Sequence, residues 1–278
     1  MNAVAATAPT LSRRHAAGAA SARGLLFTVL GEFVLPAEET AWTSTFIDVL
    51  GRLGVEEKAT RQALMRTAAD GWLTSERVGR RTMWRLSPAA ERLLVDGTKR
   101  IYGFTGTAGD WDGRWLIVLA RVPETDRPSR HLLRTRLTWA GLGSPAPGVW
   151  IGPHADRLPE AKQALAEVGG LTDAQVFVGA HADHGDLRAM VGQAWDLDAI
   201  EERYEAFLER FTRPGHRDPL LATVELVHAW RRFPWIDPAL PDELLPTPWS
   251  GAAAAKLFAR QHARWSAAAR AEWQQLNA

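Results

Sequence analysis

Between residues 58 and 85 the chain concentrates side chains that hold anions and hydrogen-bond to base edges. Lys58, Arg61, Arg66, Arg77, Arg80, Arg81 and Arg85 face only two acids, Asp70 and Glu76. Seven against two leaves a local excess of five positive charges, on a chain whose formal net charge is +1. In EEKATRQALMRTAADG, helical spacing puts Lys58, Arg61, Gln62 and Arg66 outward and Ala63, Leu64 and Ala68 inward. Arginine can pair with guanine through two hydrogen bonds, glutamine can do the same with adenine, and either basic residue holds phosphate. Arg80 and Arg81 fall at the turn of the segment that follows, where they would reach a nucleic-acid backbone or minor groove. The chemistry indicated is recognition of double-stranded DNA; the bland alternative is a solvated basic face. A second cluster lies in HADHGD, where His181, Asp183, His184 and Asp186 are ligand types suited to zinc, nickel or manganese. The competing reading is a polar loop whose aspartates cap the next helix. No HExxH motif supports a metal, and none is expected. Nucleophile-elbow (GxSxG) and phosphate-cradling (GxxxxGK[ST]) segments are absent. Cys is 0, which excludes a disulfide framework, a thiolate zinc site, an iron–sulfur cluster and a cysteine nucleophile.

The elements that must position the basic residues read as helix, helix, helix and a two-stranded hairpin. LLFTVLGEFV has helical apolar spacing. TAWTSTFIDVLGRLGV aligns Phe46, Ile47, Leu50 and Leu53 and stops at Gly54. Glu56 and Glu57 suit the positive end of the next helix dipole, and Gly71 suits its stop. GWLTSERVGRRTMWRL then reads as two strands around a turn at Gly79. Ser87-Pro88 opens a further helix to about Arg100. After the Gly-rich GFTGTAGDWDG, WLIVLARVP reads as a buried strand ended by Pro123, and Asp126 to Leu142 as a helix. APGVWIGP (strand), LPEAKQALAEVGG (helix) and AQVFVGAHA (strand) complete a β-α-β-α-β series. That series fits a small split-βαβ, ferredoxin-like unit with a fourth strand not placed. From about Leu187 onward, DLDAIEERYEAFLERF, LLATVELVHAWRRF and the stretch after Ser250 are helical. The Pro-rich FPWIDPALPDELLPTPWSG between the last two must be mostly extended or turned.

Composition sets the outer bounds. With 278 residues, 46% hydrophobic and 23% charged, the chain has room for two or three domains and is too apolar to be wholly disordered. Near-neutral charge excludes a histone-like tail protein. No stretch of about 20 apolar residues exists, so no membrane partner is expected. Residues 1–21 lack the apolar core of a secretory signal and read as a disordered tail, and a cytoplasmic location is expected. The 13 Trp residues suit cores more than stacking on planar ligands.

ALMRTAADGWLTSERVGRRTMWRL resembles the recognition helix and wing of the PaaX family, repressors of phenylacetate-catabolism operons. DGRWLIVLARVPE and APGVWIGPHA are similar to that family's middle domain. HAWRRFPWIDPALPDELLPTPWSGAAAAKLFARQH resembles its C-terminal signature. Thr60 and Thr67 depart from the pattern, which has aliphatic residues there. The resemblance spans about Ala22 to His262. It implies an α+β multidomain fold with an N-terminal winged helix-turn-helix at 22–103, a central ferredoxin-like (Cas2-like) domain at 111–186, and a C-terminal helical domain at 187–278. It further implies a homodimeric repressor bound to double-stranded operator DNA and released by an acyl-CoA effector, phenylacetyl-CoA or another aryl-CoA, with no cofactor and no enzymatic activity. On that reading Trp230, Arg231, Arg232 and Trp235 could hold the phosphates and flat groups of a CoA thioester. The weightier reading of the same four is a structural clamp, with aromatics buried and an arginine paired to Glu243 or another acid. A metal-dependent nuclease on the Cas2-like domain would need a carboxylate at the end of its first strand. Glu124 and Asp126 fall beyond Pro123, so a structural, dimerising role is expected instead. A DNA-binding regulator without ligand is a further alternative.

Overall fold

The computed structural model describes residues 21–37, 39–107, 111–169, 171, 173–213 and 218–278. Apart from Ser21, the expected tail lies outside the described residues. The chain divides into two compact units. One comprises residues up to Gly103 with Arg210–Arg232 and Lys256–Ala278; the other comprises Phe104–Glu209 and Phe233–Ala255. The segment expected to form a separate C-terminal helical domain is therefore shared between them.

In the first unit, α1 (Ala22–Val29) runs through a π-helical turn (Leu30–Val34) into one further turn of helix (Leu35–Ala37). A two-residue strand β1 (Ala41–Trp42) leads into α2 (Thr43–Arg52), followed by α3 (Glu57–Ala69). Strands β2 (Leu73–Val78) and β3 (Arg81–Leu86) form the expected hairpin, and β1 adds to β3, giving a three-stranded antiparallel sheet in the order β1-β3-β2. Helix α4 covers Pro88–Gly103. Apolar periodicity explains the packing: Leu26, Val29, Leu30, Phe46, Val49, Leu50, Leu64 and Trp72 form one buried cluster. Leu220 and Val224 of α9 (Pro219–Trp230) and Trp273 near the chain's end join the same cluster.

The second unit holds β4 (Arg114–Arg121), α5 (Arg127–Trp139), β5 (Gly143–Ala146), β6 (Val149–Gly152), α6 (Leu158–Ala166) and β7 (Asp173–Ala180). The sheet order is β5-β6-β4-β7, and every neighbouring pair is antiparallel. This is the β-α-β-β-α-β order of a ferredoxin-like unit. The strand that the sequence did not place is β5. But for Ala146 it lies before the run read as a strand, and a turn at Pro147-Gly148, with Gly148 at φ 78°, joins it to β6 as an edge hairpin. Gly143 in β5 is required by close approach: a Cβ there would meet the Trp195 ring at 2.5 Å and the Ala194 carbonyl at 2.7 Å. Both belong to α7 (Leu187–Ala194) and its C-cap, which lie over this edge. The unit has two apolar layers. Leu116, Val118, Leu133, Leu137 and Ala161 pack between sheet and helices, and Trp115, Ile151, Val191, Leu240 and Leu244 pack on the other face.

Helix α8 (Leu197–Thr212) begins in the second unit and ends in the first. A short α10 (Phe233–Ile236) opens the Pro-rich stretch, and α11 (Gly251–Asn277) closes the chain. Among the described residues no helix is long and apolar enough to cross a membrane.

Candidate nucleic-acid interface

Helix α3 has two faces. Thr60, Ala63, Leu64 and Thr67 are buried, and Ala68, expected fully inside, is half-buried. Lys58, Arg61, Gln62 and Arg66 are all exposed, as the spacing requires. Met65 stands among them at 63% exposure. Sequence reasoning passed over it, although its place three residues after Gln62 puts it on the same face, where a thioether can touch a thymine methyl. Thr60 and Thr67, the departures from the aliphatic pattern, fill the aliphatic places; both are 0% exposed and neither hydroxyl has a hydrogen-bond partner. The helix ends where expected. Gly71 adopts φ 77°, and its N–H donates to Ala68 O while that of Trp72 donates to Thr67 O.

Charge on this face is only partly neutralised. Arg61 pairs with Glu57 one turn back at 2.8 Å, and both are more than half exposed. Asp70 is taken by Arg23 at 2.5 Å. Lys58, Arg66 and Arg80 have no ion pair among the described residues.

The hairpin corrects one expectation. Val78 pairs with Arg81, so the turn consists of Gly79 and Arg80 alone, with Gly79 at φ 61°. Arg80 is at the tip. Arg81 is already in β3, and its guanidinium lies 3.9 Å from the centre of the Trp42 ring. Sequence reasoning missed this platform because Trp42 lies in β1, a strand too short to leave a periodic signal. The hairpin is anchored at its base. Trp84 is buried and its indole N–H donates to Thr43 Oγ1 at 2.8 Å, while that hydroxyl donates to Thr82 O at 3.1 Å. β1 is also clipped to the end of the chain. The Asn277 carboxamide accepts from Trp42 N at 3.1 Å and donates to Thr40 O at 2.8 Å.

Within the first unit, two members of the Arg/Trp cluster are core residues. Trp230 is fully buried, donates its indole N–H to Ile101 O at 3.0 Å and stacks on Phe258. Arg231 is buried, and its Nη2 donates to the Gly24 carbonyl of α1 at 3.0 Å. Burial lowers its pKa to about 10, with the neighbouring Arg232 adding to the effect. Trp235 belongs to the second unit, where its ring lies 5.0 Å from that of Trp139. The arrangement of Trp230 and Arg231 is that of a clamp, closed on a backbone carbonyl rather than on Glu243. His228 completes it, with Nδ1 3.0 Å from Thr28 Oγ1. Its pKa is pushed down to about 3 by burial first and then by Arg231, Arg232 and Arg210.

The HADHGD residues do not converge. Asp186 caps α7 by accepting from Ala189 N, Asp183 projects into solvent, and His181 Nδ1 accepts from Asp183 N at 3.2 Å. No group of three His, Cys, Asp or Glu side chains suited to a metal occurs among the described residues. In the second unit, β4 ends at Arg121. Asp126 caps α5 through Ser129 N, and hydrogen bonding from the Ser129 side chain first and its backbone N–H second lowers its pKa.

Comparison with known proteins places these features in a family. The model of the PaaX-like protein matches residues 21–90, that of the PaaX protein central Cas2-like domain residues 108–191, and that of the PaaX-like protein C-terminal domain residues 195–275. The chain is 30% identical to the transcriptional repressor PaaX of Escherichia coli over 275 residues, covering 92% of this chain and 84% of that protein. The solved structure of an uncharacterised Mycobacterium tuberculosis protein superposes with a TM-score of 0.60 at 24% identity, over 91% of this chain and 99% of the other, a likeness of fold. Matched along nearly its whole length, the chain belongs to the PaaX family of transcriptional repressors.

Proposed function

We propose that the first unit is a winged helix-turn-helix module and that the protein represses transcription by holding operator DNA as a homodimer. The observation that carries this reading is the two-faced α3. It buries Thr60, Ala63, Leu64 and Thr67 and offers Lys58, Arg61, Gln62, Met65 and Arg66 on one exposed surface. A helix in the major groove needs such a face, with donors to base edges early in the helix and no carboxylate projecting between them. Glu57 serves Arg61 in the free protein, and exchanging that partner for guanine or phosphate costs little, since exposed ion pairs are weak. Arg80 at the hairpin tip is the wing's phosphate contact. In a homodimer the two α3 helices would meet half-sites one helical turn or a multiple apart.

The effector is an aryl-CoA thioester such as phenylacetyl-CoA, acting by a shift of population. It must favour an arrangement of the dimer that misplaces the α3 helices, since a ligand binding both states equally shifts nothing. Trp230 and Arg231, being core residues, are not where it docks. The test is a gel shift on the DNA flanking the protein's own gene, titrated with acyl-CoA thioesters. Retarded DNA released by phenylacetyl-CoA but not by free phenylacetate is the expected result. Equal release by the free acid, or none by any thioester, would remove the effector from the account and leave a ligand-independent regulator.

A further inference from the structure

Helix α5 of the second unit carries a line of basic side chains outside the α3 face and the hairpin tip. Arg127, Arg130, His131 and Arg134 are all exposed and fall at i, i+3, i+4 and i+7, one stripe of the helix. The 13 residues of α5 contain four arginines and no carboxylate. Its fourth arginine, Arg136, points elsewhere and pairs with Glu167 at 2.6 Å. Arg127, Arg130 and Arg134 have no ion pair among the described residues. Asp126, immediately before the helix, is held in the N-cap by Ser129 N; Arg130 is close enough to help lower its pKa but forms no ion pair with it. Some cations on other exposed helices pair with an acid one turn away, as in Asp48–Arg52 of α2, Glu57–Arg61 of α3 and Asp96–Lys99 of α4; among the described residues none of these three arginines does. Like charges at this spacing repel, so the stripe disfavours the free helix slightly and gains from a polyanion laid against it.

We infer that this stripe is a second phosphate-binding surface, through which the second unit holds the backbone of duplex DNA. The inference rests on the proposed DNA-binding function. Helix rise places Arg127 and Arg134 about 10 Å apart along the axis. A B-DNA strand presents one phosphate per about 3.4 Å of duplex axis, so the span matches about three phosphates. Arginine rather than lysine at all three places suits bidentate phosphate contacts. The stripe reads no bases. It adds affinity and salt dependence without sequence preference.

The experiment is a salt titration of full-length protein on flanking DNA and on a scrambled duplex. It compares wild type, the triple variant Arg127→Gln/Arg130→Gln/Arg134→Gln, and the triple arginine-to-lysine variant at the same positions. The glutamine variant should bind both duplexes more weakly, with the slope of log K against log salt reduced by about 2 to 3. The lysine variant should restore most of that slope, and the preference for flanking over scrambled DNA should be unchanged in both. An unaltered slope in a folded glutamine variant overturns this inference while leaving α3 as the reading helix. Wild-type protein that binds neither duplex overturns the DNA-binding function itself and this inference with it.

Discussion

At the scale of single residues, Arg80 and Arg81 should behave differently. Arg80→Ala should lower the salt slope by about one on any duplex, the signature of one lost phosphate contact. Arg81→Ala also loses the stack on Trp42, so it should lower stability by about 0.5–1 kcal/mol, measured by urea unfolding. Thr60 and Thr67 lead to the opposite expectation. Each is a buried hydroxyl without a partner, so Thr60→Val or Thr67→Val should raise stability by about 1 kcal/mol and leave DNA affinity intact. A loss on either change would mean that the hydroxyl is satisfied in solution. His228 predicts a pH dependence. Its folded pKa lies near 3 and its ordinary value near 6.5, so the stability it contributes is complete above 6.5 and falls away as pH drops toward 3. Between pH 7 and 5, wild type should lose about 2 kcal/mol more than His228→Gln, and equal losses would contradict the burial argument. The outward set Lys58, Arg61, Gln62 and Arg66 was legible in the sequence because helical periodicity alone decides which side faces solvent. The position of Arg81 was not, because a turn of two residues instead of three moves it from tip to strand. Nor was the burial of Arg231, since its partner, the Gly24 carbonyl, lies 207 residues away and leaves no trace in side-chain type.

At the scale of elements, helices and strands with a strong period were readable, and short or interrupted ones were not. β4 follows from its continuous apolar run. β5 carries Pro145 and only four residues, and edge strands of that kind look like loop. β1 has two residues and is defined by β3 beside it and by Asn277, 235 residues from Trp42. That clip makes a prediction about α11. Asn277→Ala removes hydrogen bonds to Trp42 N and Thr40 O, so the amides of β1 should exchange faster with solvent while those of α2 remain protected. Unchanged exchange at Trp42 would show that pairing with β3 suffices.

At the scale of the whole molecule, the C-terminal segment is contiguous in sequence but divided in space. Its apolar helices α9 and α11 were visible; which core they join was not, because hydrophobic periodicity says that a face is buried and not against what. Leu220, Val224 and Trp273 enter the cluster that supports α3, while Leu240 and Leu244 enter the second unit's outer layer. Loss of C-terminal core packing should therefore weaken DNA binding through stability. Trp273→Ala should lower it by about 3–5 kcal/mol and depress DNA affinity only as far as folding is lost, which far-UV circular dichroism alongside binding would check. The central claim, that α3 is the element that reads DNA, has a more direct test. Wild type, Arg61→Ala and Gln62→Ala are titrated against the flanking DNA, against single-base-pair variants of it, and against scrambled duplex. Each variant should lose about 1–3 kcal/mol on the flanking DNA, lose discrimination at one or two base pairs, and bind scrambled duplex nearly as wild type does. Base-pair preferences left intact in both variants would contradict the claim.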